Sequence, residues 1–308
     1  MKKEEREMKK GSMLGALCLA VVLVATSLWA ADAPVTTAPS GGEQEASLTE
    51  INKKLTNPVS DFWSIAFQQN NYMLDMGAGK PDHWNSNLNL QPVLPVALTS
   101  NWNLITRPVM TLFSSVPYLD SNNPGDIDRT TGFGDTVLME LVSPTQKLAG
   151  NWLLGLGPTF IFPTASSKYT GQDKWQVGPA ALVGYLSKKW ILGALVQNWQ
   201  SFAGSGNRDT NQMNLQPIAA YFLPGGWSIG YSGNVLANWK AAKDGDTWTV
   251  PLGLSVAKVL KLGPLPVKIA LGGQYMPIHP DIGGQKWNIQ LSVTPVIPKL
   301  IKGNLFGD

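Results

Sequence analysis

Along residues 84–98 the chain alternates between two kinds of side chain. Leu88, Leu90, Pro92, Leu94, Val96 and Leu98 fall on one face; Asn87, Asn89, Gln91, Val93, Pro95 and Ala97 fall on the other. Residues 175–186 repeat the pattern. Trp175, Val177, Pro179, Ala181, Val183 and Tyr185 oppose Gln176, Gly178, Ala180, Leu182, Gly184 and Leu186. In residues 287–297, Trp287, Ile289, Leu291, Val293, Pro295 and Ile297 oppose Asn288, Gln290, Ser292 and Thr294. A period of two with one apolar face, held over about ten residues, is what a tilted membrane-spanning strand needs. Lipid demands the apolar side, and a watery or packed interior accepts small and amide side chains on the other.

Segments of this kind recur near 62–74, 84–98, 102–114, 132–142, 152–164, 175–186, 190–202, 212–223, 227–239, 247–258, 266–276 and 286–298. About a dozen strands, an even number, closes an antiparallel sheet with both ends on one side and no unpaired edge in hydrocarbon. The expected fold is therefore all-β, an antiparallel transmembrane β-barrel. Connection lengths agree with it. Tight turns at 99–101, 188–189 and 224–226 alternate with polar loops at 75–83, 115–131, 165–174, 203–211, 240–246 and 277–285. Short periplasmic turns and long external loops are the habit of such barrels. The connections 143–151 and 259–265 are longer than that habit allows. Pro92, Pro158, Pro179, Pro217, Pro251 and Pro295 fall inside expected strands, where each removes a ladder donor and predicts a bulge or register shift.

The start of the chain has another character. Lys2, Lys3, Arg6, Lys9 and Lys10 precede an apolar run from Met13 to Trp29, followed by Ala30 and Ala31. This reads as a cleavable secretory signal over residues 1–31, with Met8 an alternative start, and predicts export. Residues 32–46 are rich in Pro, Gly, Ser and Thr and read as a disordered linker. Within residues 47–61, Ser47 to Leu55 predicts a short periplasmic helix ended by Asn57-Pro58, leading into a barrel over 62–298 and a tail over 299–308.

Composition sharpens the picture. Charged residues make up 15% of the chain, against about 25% in ordinary soluble domains. The net charge is +3, much of it in the basic start, so no nucleic-acid partner is expected. The single cysteine, Cys18, lies in the apolar run, which leaves no disulfide or thiolate chemistry to the mature protein. Nine tryptophans mark two rings. Trp102, Trp152, Trp190 and Trp227 follow the short-side connections; Trp84, Trp175, Trp239, Trp248 and Trp287 flank long loops. Amphipathic aromatics at both water–lipid boundaries are the girdles of a membrane barrel, and outer-membrane lipid is the partner they imply.

The inward face supplies the candidate chemistry. Asn89, Gln91, Gln176, Asn214, Gln216, Asn234, Gln274, Asn288 and Gln290 are its amides, and Arg107, Glu140 and Lys268 are its charged candidates. Ion-selective pores carry rings of one sign. Amides with three scattered charges of mixed sign instead suit neutral or weakly polar solutes. Residues 88–93 also echo 213–218, six strands later, which in a ring of twelve would place the two segments opposite each other. Catalytic or metal chemistry has little to stand on. His83, near Ser86, and His279 are the only histidines, and Asp120, Asp126 and Asp128 do not match a defined calcium cage. Neither a cofactor nor a metal is expected.

Several motifs carry a family likeness. Residues 57–61 (NPVSD) run into 67–71 (FQQNN), followed by 90–92 (LQP), 102–107 (WNLITR) and 131–135 (TGFGD). The series continues through 155–160 (GLGPTF), 175–179 (WQVGP), 215–217 (LQP) and 248–251 (WTVP). This ensemble resembles a family of outer-membrane transporters linked by name to phenol and other aromatic degradation, some members of which carry the label neuromedin U. The resemblance spans nearly the whole mature chain and implies transport, though it brings no binding residues with it. The tail departs from the common barrel ending, since Phe306 is followed by Gly307-Asp308. The expected function is passive or facilitated diffusion of small, largely uncharged and, by the resemblance, aromatic molecules across the outer membrane. Barrel assembly machinery is the expected partner in biogenesis. A closed interaction barrel and a lipid hydrolase using His83 or His279 are the rival readings.

Overall fold

The computed structural model describes residues 41–119 and 126–307. The expected signal and residues 32–40 of the expected linker lie outside these residues, as does Asp120. Helix α1 spans Gly41–Thr56, so helix already occupies 41–46, the end of the expected linker. The wall then runs β1 Trp63–Leu74, β2 His83–Ala97, β3 Trp102–Leu119, β4 in two segments Ile127–Phe133 and Thr136–Pro144, β5 Trp152–Phe162 and β6 Trp175–Leu186. It continues β7 Trp190–Ala203, β8 Asn211–Phe222, β9 in two segments Trp227–Tyr231 and Val235–Asn238, β10 Trp248–Leu262, β11 Leu265–Ile278 and β12 Gln285–Ile297.

Fourteen extended segments join in one sheet. Both segments of β4 pair with β3, and both segments of β9 lie between β8 and β10. Two strands are thus interrupted rather than doubled, and the wall has twelve. Every pairing is antiparallel between chain neighbours, and β1 pairs with β12 from Trp63↔Ile297 to Leu74↔Gln285. The sheet is a closed twelve-strand barrel, as the alternation predicted. The break in β4 falls at Gly134-Asp135, where loop 163–174 folds onto it. Ser166 Oγ accepts from Phe133 N at 2.9 Å, and Asp135 accepts from Ala165 N at 3.2 Å and Gln172 N at 2.8 Å.

Three expectations about strands change. The loop expected at 115–131 is largely strand, because β3 reaches Leu119 and β4 begins at Ile127. The long connection at 259–265 is a two-residue turn, with Leu262 opposite Leu265 and Gly263 at φ 63°. The proline expectation holds only at Pro251, which stands at a register shift. Around Pro92 the ladder lapses for three residues, around Pro158 and Pro179 for two, and in each case it resumes in the same register. At Pro295 the ladder to β1 likewise lapses for two residues and resumes in register, and Pro217 sits within a continuous ladder, opposite Ala194. Losing one N–H removes a rung without changing the two-residue period, so the register survives.

An apolar cluster fills part of the interior. Ile105, Met139, Leu141, Leu153, Ala180, Leu182, Ile191, Leu195, Ile218 and Phe222 pack together from β3 to β8. Helix α1 occupies the short-turn end. Asn52 Nδ2 donates to Gly226 O at 2.9 Å and Ser228 Oγ at 3.1 Å. Thr49 Oγ1 donates to Leu223 O at 3.2 Å and accepts from Gly226 N at 3.2 Å. The gripping turn needs glycine: Gly226 has φ 78°, and a Cβ there would stand 2.9 Å from Leu48 Cβ.

Candidate functional site

The inner row of β1, β2, β11 and β12 is a linked set of amides. Asn70 Nδ2 donates to Asn87 Oδ1 at 2.9 Å, and Gln290 Nε2 donates to Asn70 Oδ1 at 3.0 Å. Gln91 Nε2 donates to Gln68 Oε1 at 3.2 Å, and Thr111 Oγ1 to Asn89 Oδ1 at 3.0 Å. Ser232, in the gap of β9, accepts from Gln274 Nε2 at 2.9 Å and donates to Gln290 Oε1 at 3.3 Å; Asn288 Nδ2 donates to Gln274 Oε1 at 3.3 Å. Such mutual bonds fix the amides in place, so the wall presents a preset pattern of donors and acceptors.

Two cavities lie within this wall. The larger, about 330 Å³, is bounded by Gln68, Asn89, Gln91, Asn214, Gln216, Asn234, Gln274, Asn288 and Gln290, with Tyr72, Met139, Leu195, Trp199 and Met276 among them. The smaller, about 240 Å³, lies toward the short-turn end, between the wall and residues 54–60. Arg107, Gln216, Pro217, Tyr231, Ser255 and Ala270 border both and form a waist between them. Lys268 lines the smaller cavity, its Nζ donating to Thr56 Oγ1 at 2.6 Å. The echo between 88–93 and 213–218 has a structural counterpart, since β2 and β8 stand six places apart and their amides line the same cavity.

Eleven of the twelve candidates share the inner face. Gln176 is among them but lies near the long-loop end, donating to Gln172 at 2.6 Å and accepting from Gln212 at 3.0 Å. Glu140 is the exception. It pairs with Thr106, and its Oε2 accepts from Thr106 Oγ1 at 2.7 Å, while its neighbours Met139 and Leu141 turn inward to the apolar cluster. Val142, next but one on the same face, is among the exposed apolar residues of the outer surface. Glu140 therefore faces outward. Inward placement was expected because lipid disfavours charge, yet here the inner positions are claimed by apolar packing and a cross-strand hydroxyl serves the acid. Gln68, Asn70, Gln197 and Trp199 belong to the site and were not foreseen; Asn87 was placed on the inward face but not named among the candidates. Residues 68–71 and 197–198 are polar on both faces, so period two cannot tell inward from outward there.

The nine ring tryptophans are 37–54% exposed. The other two described ones, Trp63 and Trp199, are 5% exposed, and each donates its indole N–H, to Pro95 O at 2.7 Å and Thr159 Oγ1 at 3.0 Å. His83 and Ser86 stand on opposite faces of β2, and Ser86 Oγ is engaged by Gln69 and Asn71 at 2.8 and 2.9 Å. His279 Nδ1 lies 2.9 Å from Pro280 O. Asp128 accepts from Tyr118 OH at 3.1 Å and from Arg129 N at 2.8 Å.

The barrel is similar to an outer-membrane channel of Pseudomonas putida F1, at 16% identity and TM-score 0.54, over 77% of this chain and 96% of that one. That likeness is one of fold. Weaker similarity, at TM-score 0.36, extends to the toluene transporter of Pseudomonas putida, 11% identical over 86% of this chain and 95% of that one. The outer membrane phospholipase of Salmonella typhi has the same TM-score, with 11% identity over 81% and 99%. No protein-family model matches the chain, and no curated protein matches it.

Proposed function

We propose that this chain is an outer-membrane channel through which small, largely uncharged organic molecules diffuse. The observation that carries this reading is the pair of interior cavities, the larger amide-lined and the two sharing the waist residues, inside a closed wall with an apolar exterior. Fixed amides hydrogen-bond a neutral solute without a strong field. The fold shared with a Pseudomonas putida channel supports the reading. The preference for aromatic solutes rests on the family resemblance. On this reading residues 1–31 direct export and are removed, the short turns and α1 face the periplasm, and the ring tryptophans sit at the two lipid boundaries. The barrel assembly machinery would then insert the chain.

One observation favours a second reading, a barrel closed to solutes. Helix α1 is bonded to the 224–226 turn, and the apolar cluster narrows the lumen beside it. Liposome swelling with reconstituted protein separates the two. Uptake of a small neutral aromatic solute, rising when residues 41–56 are deleted, is the expected result. No uptake by either form would establish the closed barrel.

A further inference from the structure

With Glu140 outside, the interior loses the only acid expected there. Among the described residues, no aspartate or glutamate lines either cavity. Three cations line them. Lys54 has its own partner, Asp61, at 3.2 Å. Among the described residues, Arg107 and Lys268 have no carboxylate partner. Lys268 is held only by the Thr56 hydroxyl among the bonds described, and Arg107 Nη1 is buried with no hydrogen-bond partner. A buried guanidinium donor left unsatisfied is costly, and a second, half-buried charge of the same sign lining the same cavity without a counter-charge adds to the cost. What removes both costs is an anion. A carboxylate suits the position, because its two oxygens match the guanidinium fork and a lysine ammonium serves as a point charge.

We propose that Arg107 and Lys268 form a carboxylate-binding site at the waist of the lumen and the cavity below it. The Ser228 hydroxyl, which accepts from Asn52 and keeps its own proton, is a further donor around it, and Val93 and Ile218 give the remainder of a solute an apolar surface. The inference rests on the channel reading and adds to its neutral solutes small organic acids whose single charge is a carboxylate. It also replaces the picture of scattered charges of mixed sign with one of uniform sign, which predicts preference for anions over cations.

The test uses the purified full chain in detergent, titrated calorimetrically with benzoate and with benzyl alcohol, a neutral relative of similar size. Wild type should bind benzoate the more tightly. Arg107→Gln and Lys268→Met should each weaken benzoate binding by roughly tenfold or more while leaving benzyl alcohol unchanged. Glu140→Gln, on the outer face, should change neither. Faster migration of unboiled protein on a detergent gel shows that each variant is folded, and either single variant suffices if the other fails to fold. The proposal is overturned if benzoate binds no better than benzyl alcohol, or if both folded variants bind it as wild type does. A protein that conducts but does not select benzoate loses the site and keeps the channel. One that binds benzoate at this site yet never conducts keeps the site and loses the channel.

Discussion

Leu291 and Ser292 are neighbours on β12 and face opposite ways. Leu291 stands outward opposite Leu271, and Ser292 stands inward opposite Ala270 and Gln68. Leu291→Arg should therefore cost roughly 2–4 kcal/mol of barrel stability, the range for a cation placed at the lipid midplane. Ser292→Arg should be tolerated or change permeation. Equal losses in urea unfolding of refolded barrels would refute the facing assigned to β12. Reading the faces from sequence succeeds on β2, β6 and β12, where one row is apolar throughout and the other carries the amides, hydroxyls and glycines. It fails on β4 because Val137, Leu138, Met139, Leu141 and Val142 are apolar on both faces, which leaves Glu140 as a lone charge with no contrast to orient it. The waist was legible only in part. Arg107 and Lys268 were singled out, but their isolation from any acid depends on which way Glu140 turns.

At the level of elements, the loop after β1 is fastened by charge. Lys286 at the start of β12 bridges Asp75 at 3.0 Å and Asp82 at 2.9 Å. Asp75 also accepts from Gly77 N at 2.8 Å, and Gly283 N donates to Asp75 O at 2.7 Å. The Gly77 amide and then the Lys286 ammonium hold the Asp75 carboxyl below its ordinary range. A depressed folded-state pKa gives stability that is present above the unfolded value and is lost as pH falls through the folded one. Protection of the 75–82 amides from hydrogen exchange should thus hold from neutral pH down to about 4 and fade only in stronger acid. Asp75→Asn should expose them at pH 7 as well. Unchanged exchange in that variant would show that the clamp contributes nothing. Pairwise clamps of this sort leave no periodic trace, which is why the strands were readable from the chain and the loop fastenings were not. Strand ends suffered similarly: β3, β4, β10 and β11 all run past the points where turn-forming residues begin.

For the whole molecule, the two tryptophan rings and the apolar band between them predict extraction only by detergent and faster gel migration before boiling than after. Recovery of the mature chain in a soluble periplasmic fraction would refute the membrane assignment. The same wall has a property that belongs to its making rather than its use. Its seam joins β1 to β12, where Asn70 meets Gln290 across 220 residues of chain. Until residues 285–297 arrive, every shorter product is an open curl with two raw edges, each a row of unpaired N–H and C=O groups ready to zip onto another chain. Completion is therefore a single late event. Losing the last strand would forfeit not one twelfth of the wall but the ring itself, and time spent unclosed is when this sequence is most exposed to aggregation.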